Sequence, residues 1–183
     1  MRSVIVSVVA LLCLAPAWVS AQGPASPPKP AVDVTKVMLD AAAKIGAAAL
    51  KPGVAVSDRN IALSDTGGYN VTVAYVTRPA TKVPSGTVLS HDKITEIYYV
   101  VSGSGTQVTG TLVGGTHSEG SGTIGPGWSS TSPIANGRTT KLGPGEMQII
   151  PPGTGHIWTE IADGGIVYMT IRVDPEHLLS LSK

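Results

Sequence analysis

Two spaced patterns constrain this chain more than anything else in it. The first runs His91, four residues, Glu96, six residues, Gly103; the second runs Gly145, five residues, Pro151, one residue, Gly153, two residues, His156. Successive side chains of a strand point to opposite faces. Leu89 and His91 therefore share a face, as do Glu96, Tyr98 and Val100, and farther on His156, Trp158 and Glu160. Thr87 to His91 and Glu96 to Ser102 read as a hairpin around Asp92 to Thr95, across which Glu96 meets His91. Pro151 and Gly153 supply the tight turn that delivers His156 to the same place. The pattern predicts that His91, Glu96 and His156 converge inside a cavity.

Two neutral imidazoles and one carboxylate form a set that binds Fe, Mn, Zn, Ni or Cu and leaves coordination positions open. The alternative is a metal-free cluster in which the same groups hydrogen-bond within a ligand cavity. Leu89, Tyr98 and Trp158 are expected to line the substrate pocket. Tyr99 faces the other way. A single histidine in a strand is more often hydrogen-bonded than metal-bound, which is the reading for His117; His177 is expected to be solvated. Arg172, in the last strand, either pairs with an acid or meets an anionic ligand.

With glycines and prolines at these intervals, the two patterns resemble the two-motif signature of the cupin superfamily, in its single-domain, conserved-barrel form. The resemblance covers Gly86 to Glu160 and implies a mainly β fold, a double-stranded β-helix or jelly-roll barrel. Departures are visible. The first motif of cupins begins with His, any residue, His, and here the first of these is Leu89, so one usual metal ligand is missing. The asparagine that usually follows the second-motif histidine after three residues is Glu160. Facing inward by alternation, Glu160 is the candidate to replace the lost ligand, or to act as general acid or base beside the metal with its pKa raised by burial.

Arg2 precedes an apolar run from Val4 to Trp18, too short to span a bilayer, and Val19, Ser20 and Ala21 supply small residues for a signal peptidase. Residues 1–21 are thus expected to be a signal peptide, and the chain to be secreted or periplasmic. Its removal takes away Cys13, leaving no thiol for disulfides, thiolate ligation or cysteine catalysis. Loss of Arg2 lowers the 13 basic residues to 12, against 12 acidic ones. A chain near neutrality with no basic stripe does not suit nucleic acid, or an anionic membrane after signal cleavage.

The organisation expected is a Pro-rich tether over 22–32, an N-terminal helix over 33–52 and a barrel over 53–183. Val34, Val37, Met38, Ala41, Ala42, Ile45, Ala48 and Ala49 recur at helical spacing, with Asp33 as N-cap and Pro52-Gly53 as stop. Strands are expected over Val54 to Ser57, Ile61 to Ser64, Tyr69 to Thr77, Gln107 to Val113, Met147 to Ile150, His156 to Ile161 and Gly165 to Val173. Gly114 to Leu142 is read as a loop or long arm between the motifs. Asp174-Pro175 should open a short C-terminal helix.

Neither a phosphate-cradling glycine loop nor a serine nucleophile elbow is present. The cupin resemblance implies oxygenase, isomerase, lyase or decarboxylase chemistry on a small organic molecule. A non-catalytic module that captures a small ligand or metal is the alternative, which Leu89 favours. A storage-type cupin is disfavoured because those carry two barrels. A homodimer is the expected assembly.

Overall fold

The computed structural model describes residues 27–182. The expected signal peptide, and the tether as far as Ser26, lie outside these residues. One helix, α1 (Lys36–Ala49), precedes the strands β1 (Ser57–Asp65), β2 (Asn70–Arg78), β3 (Val88–His91), β4 (Thr95–Thr111), β5 (Thr116–Ser118), β6 (Gly127–Ser130), β7 (Ala135–Leu142), β8 (Met147–Ile150) and β9 (Thr154–Asp174). The fold is mainly β, an antiparallel double-stranded β-helix with one helix on its outside, as expected from the sequence. β1-β2-β9-β3-β6-β5 follow one another in the sheet, and β4 pairs with β7, β8 and β9.

The backbone of the winding is a long ribbon of β4 against β9, from Thr95 opposite Val173 to Thr111 opposite Thr154. Ribbons of this length must bend to close, and this one bends at glycines. Gly103 adopts φ 73° and Gly165 φ 83°. A Cβ on Gly103 would lie 2.0 Å from the Gly165 carbonyl oxygen, so no side chain fits at that corner. The first-motif glycine is therefore a requirement of the bend. Gly153, φ 73°, serves the turn before β9, and its N–H donates to the backbone oxygen of His91 at 2.7 Å. That bond ties the two motifs together directly.

Inside, alternation sorts the barrel into two regions. Ala74, Val76, Val100, Leu142, Ile150, Ile161, Ile166 and Tyr168 form the apolar core with Tyr98 and Trp158. Beside it lies a buried polar region of Asn60, Thr72, Glu96, Thr170, Arg172 and Asp174. Burying polar groups is costly unless they are bonded: the side chains of Asn60, Glu96, Arg172 and Asp174 are, whereas the hydroxyls of Thr72 and Thr170 have no hydrogen-bond partner.

Several expectations are corrected. β3 and β4 do not form a hairpin: β3 pairs with β6 and β9, and β4 with β7, β8 and β9. Ile94, in the connection between them, is buried. The segment from Gly114 to Leu142 is no plain loop but carries β5, β6 and β7. Val54 to Ser57 is no separate strand; β1 begins at Ser57 and runs through a bulge between Asn60 and Ala62. β9 is continuous where two strands were expected. The helix is capped by Thr35, not Asp33: its side chain accepts from the Met38 N–H at 3.3 Å, and the helix ends at Ala49. It rests on β1 and β2 through the small residues Ala42 and Gly46, with Val37 left exposed.

No C-terminal helix forms among the described residues. The Asp174 carboxylate accepts from the N–H groups of Glu176, at 3.3 Å, and Leu179, at 2.8 Å. His177 takes a left-handed φ of 56°, which breaks helical continuation, and its Nδ1 lies 2.9 Å from the Asn70 side-chain oxygen. The tail then runs across the barrel end, with Leu179 buried and the Ser182 N–H bonded to Asn60.

Candidate metal centre

The strands bring His91, Glu96 and His156 together. One ligand atom of each lies within 4.8 Å of the other two, and all three side chains are buried. His156 stands directly across from Leu89 in the β3–β9 pairing, which puts His91 diagonal to it. Glu96 comes from β4, where it faces Arg172 of β9. Three different strands thus supply the three groups, and the buried ladder holds each in place.

The distances suit a metal better than they suit hydrogen bonds. Glu96 Oε2 is 3.3 Å from His91 Nε2 and 3.4 Å from His156 Nε2. Hydrogen bonds between nitrogen and oxygen are usually ~2.7–3.2 Å long. Ligands bound at ~2.0–2.2 Å around a tetrahedral ion lie ~3.4 Å apart. Donor chemistry agrees. The His156 Nδ1–H can donate to the Thr154 carbonyl at 3.1 Å, which leaves the Nε2 lone pair directed at the cluster. Burial, the largest influence on His156, lowers its pKa against the raising effect of Glu96, which favours the neutral imidazole.

Glu96 is ionised. Burial alone would raise its pKa, but the fields of His91, Arg172 and His156 together hold it well below the usual carboxylate range. Its Oε1 accepts from Arg172 Nε at 2.9 Å and its Oε2 from the Tyr98 hydroxyl at 3.1 Å. Burial and the nearby Glu96 charge push the Tyr98 phenol well above its usual range, so it stays a donor. Arg172 also grips Asp58 with both terminal nitrogens, at 3.2 and 2.6 Å, and reaches Asn60 at 2.8 Å and the Thr123 carbonyl at 3.0 Å. Of the two roles open to Arg172, the structure has it paired with acids. Burial opposes its charge, and the fields of Asp58 and Glu96 more than offset this.

The cavity at this cluster measures about 40 Å³. A water needs ~10–15 Å³ on this measure, so the space admits a small group rather than a large ligand. Leu89, Tyr98 and Trp158 are among the residues that line it. Tyr98 stacks against Trp158 with ring planes 10° apart, and Tyr168 closes on Tyr98 with centroids 4.6 Å apart. His117 is not part of the site: its Nε2 lies 2.7 Å from Asp92 Oδ2 on the surface. His177 is exposed as expected.

Glu160 is the correction that matters. It is not inward-facing: about half of its side chain is exposed, and it pairs with Lys82 at 3.2 Å. The reason is a register shift. Gln107 pairs with Trp158, but the next residue of β4, Thr106, pairs with Glu160, so Thr159 is an extra residue on β9. Alternation reverses there, and Ile161 points inward in place of Glu160. Glu160 therefore neither replaces the missing ligand nor reaches the cluster as acid or base.

Arg78, Asp58, Ser85 and Tyr168 also line the cavity and were missed. For Arg78 a signal existed, since Thr72, Ala74 and Val76 alternate inward along β2 and lead to it. For Asp58 none did, because a charged residue at a strand start ordinarily reads as solvated.

No protein-family model matches this chain, and no curated protein matches it. Solved structures do align with it. KdgF from Halomonas sp. is 17% identical, with a TM-score of 0.42, over 69% of this chain and 84% of its own. A Klebsiella pneumoniae protein with a double-stranded β-helix domain is 16% identical, with a TM-score of 0.41, over 73% of this chain and 89% of its own. A Bacillus halodurans protein is 15% identical, with a TM-score of 0.47, over 81% of this chain and 85% of its own. At these identities and scores, the functional reading rests on the site residues themselves.

Proposed function

We propose that this chain is a cupin whose His91, Glu96 and His156 hold one divalent transition metal, and that it acts as a metal-dependent enzyme on a small organic molecule. The observation that carries the reading is the spacing of the donors, 3.3 and 3.4 Å about Glu96 Oε2, in a buried cavity with room beside them. The ion would be one of Fe, Mn, Zn, Ni or Cu, and when bound it would polarise an oxygen of the substrate as a Lewis acid. Around that event the chain's own residues have defined tasks. Arg172 occupies one oxygen of Glu96 and leaves the other for the metal. Tyr98, donating to that second oxygen, fixes the carboxylate plane. Leu89, Ile124 and Ile157 make the wall apolar and limit the water admitted.

The second reading is a binding module without catalysis. It is favoured by the compensation Glu96 already has from Arg172 and Tyr98, and by the loss of Glu160 as an inward acid or base. Turnover separates the two: a binder would hold metal and ligand and convert nothing.

Metal analysis of the purified full chain tests the site. About one ion per chain is expected, with binding lost or weakened at least tenfold in His91→Ala and His156→Ala while circular dichroism stays unchanged. Equal metal content in wild type and both variants would overturn the reading. Secretion after removal of residues 1–21, the division into tether, helix and barrel, and a homodimer are further parts of the proposal. Exposed Met147 and Ile149 on β8 offer an apolar outer surface for a second copy. N-terminal sequencing of the exported protein and sedimentation of the mature chain check these parts.

A further inference from the structure

Two guanidinium groups line the cavity, and only one of them is used up. Arg172 is committed on all three of its nitrogens, to Glu96, Asp58, Asn60 and Thr123. Arg78, partly buried at the end of β2, donates from Nε to the Tyr168 hydroxyl at 3.0 Å and from Nη1 to the Ser85 hydroxyl at 3.2 Å. A guanidinium carries five N–H donors in a planar fork, and these two bonds leave most of them unused. No carboxylate of the described residues pairs with Arg78. Asp58 contributes a field at Arg78, but its oxygens are taken by Arg172.

Arg78 thus holds its charge beside two neutral hydroxyl partners and the field of Asp58, with N–H donors left over. The residues lining the cavity hold two carboxylates, Asp58 and Glu96, against the guanidinium groups of Arg78 and Arg172, and both carboxylates are engaged by Arg172. Arg78 is the one of the two cations with N–H donors to spare and no carboxylate partner among the described residues, so it is where the charge of an anion would be met. The ligand's chemistry follows from the donors. One fork beside one hydroxyl matches the two oxygens of a carboxylate. A phosphate dianion would call for a second uncommitted cation, and Arg172 has none to give.

We infer that the cavity binds a small organic carboxylate, its anionic group held by Arg78 and Ser85, and the adjoining carbon bearing a hydroxyl or oxo oxygen turned toward His91, Glu96 and His156. The second half rests on the metal reading above; the carboxylate site itself does not. The volume of about 40 Å³ limits the enclosed part to a few heavy atoms, with Leu89, Ile124 and Ile157 meeting any short apolar remainder.

The test uses calorimetric titration of the full mature chain, both metal-free and metal-loaded. The probes are acetate, glycolate and pyruvate, with methyl pyruvate and inorganic phosphate as comparisons. Saturable binding of at least one carboxylate to the metal-free protein is expected, with methyl pyruvate and phosphate at least tenfold weaker. Arg78→Gln should lose about ten- to a hundredfold in carboxylate affinity, the usual range for removing a charge-assisted bond, and keep its metal content; Arg78→Lys should recover part of the loss. Ser85→Ala, a smaller change, should weaken binding in the same direction and reads the site if Arg78→Gln fails to fold. No carboxylate binding to wild type at millimolar concentration, phosphate binding as tightly as carboxylate, or unchanged affinity in both Arg78→Gln and Ser85→Ala would each overturn the inference. Carboxylate binding in a protein that takes up no metal would sink the metal reading alone, whereas metal uptake without carboxylate binding would sink this inference alone.

Discussion

Gln107 shows at the scale of one residue how far this barrel tolerates polar groups inside it. Its side chain is fully buried against the Trp158 strand position, yet neither its Oε1 nor its Nε2 has a hydrogen-bond partner, and the Trp158 indole N–H is also unpartnered. Each buried polar group left unpaired costs ~1–3 kcal/mol. Gln107→Met keeps the shape and removes both orphans, so it should stabilise the chain by about 1–3 kcal/mol. That corresponds to a rise in Tm of roughly 2–4 °C per kcal/mol for a domain of this size; a scanning-calorimetry trace showing a lower Tm would mean that Gln107 has an unseen partner. The site residues behave differently. His91, Glu96 and Arg172 are equally buried, but every charge among them has an opposite charge or donor in contact. Their identity was legible from spacing and alternation. Glu160 was not, because alternation holds only as long as no residue is inserted, and Thr159 is inserted just before it.

At the scale of elements, the β4–β9 ribbon makes the site possible. It places Arg172 opposite Glu96 and Thr109 opposite His156, so one pair of strands positions two residues of the cluster and the cation that orients one of them. The glycines of the ribbon and turn have unequal roles that can be measured. Nothing lies within 4 Å of a Cβ built on Gly153, so Gly153→Ala meets only the left-handed backbone penalty, about 1–2 kcal/mol. Gly103→Ala adds a collision with the Gly165 carbonyl and should cost a further 1–3 kcal/mol or so. Urea denaturation of the two variants checks the order; equal midpoints would show that the ribbon corner relaxes freely. Both glycines stood out in the sequence by spacing. Their different tasks did not, since a turn and a barrel corner both ask for a positive φ.

Across the whole molecule, one buried side chain links parts of the chain far apart in sequence. The Asn60 amide donates to the carbonyls of Gly122, Thr123 and Ser180, at 3.3, 3.1 and 2.8 Å, and its oxygen accepts from Arg172. Its backbone N–H and C=O bond Ser182. The segment after β5 and the C-terminal tail are thereby held over the barrel end beside the charged cluster. Asn60→Ala removes three carbonyl partners worth ~1 kcal/mol each. The expected loss is about 2–4 kcal/mol, with faster amide exchange concentrated in 120–125 and 179–182 of the variant. Exchange that rose uniformly along the chain would instead mark Asn60 as an ordinary core residue with no role in fastening the end.

What the sequence by itself determined was periodic and local: strands from alternation, turns from glycine and proline, the grouping of His91, Glu96 and His156 from their motif spacing, and Leu89 as a gap in the usual set. These are properties of short stretches, and steric rules act on short stretches. Tertiary structure alone decided which strands pair, and so that β3 and β4 lie apart, that Arg172 serves Glu96 and Asp58, and that Arg78 faces the cavity with donors to spare. Pairing is a contest among distant segments for the same hydrogen bonds and the same buried volume. A single inserted residue, Thr159, turned one candidate acid from the interior to the solvent, and no count along the chain contains that outcome.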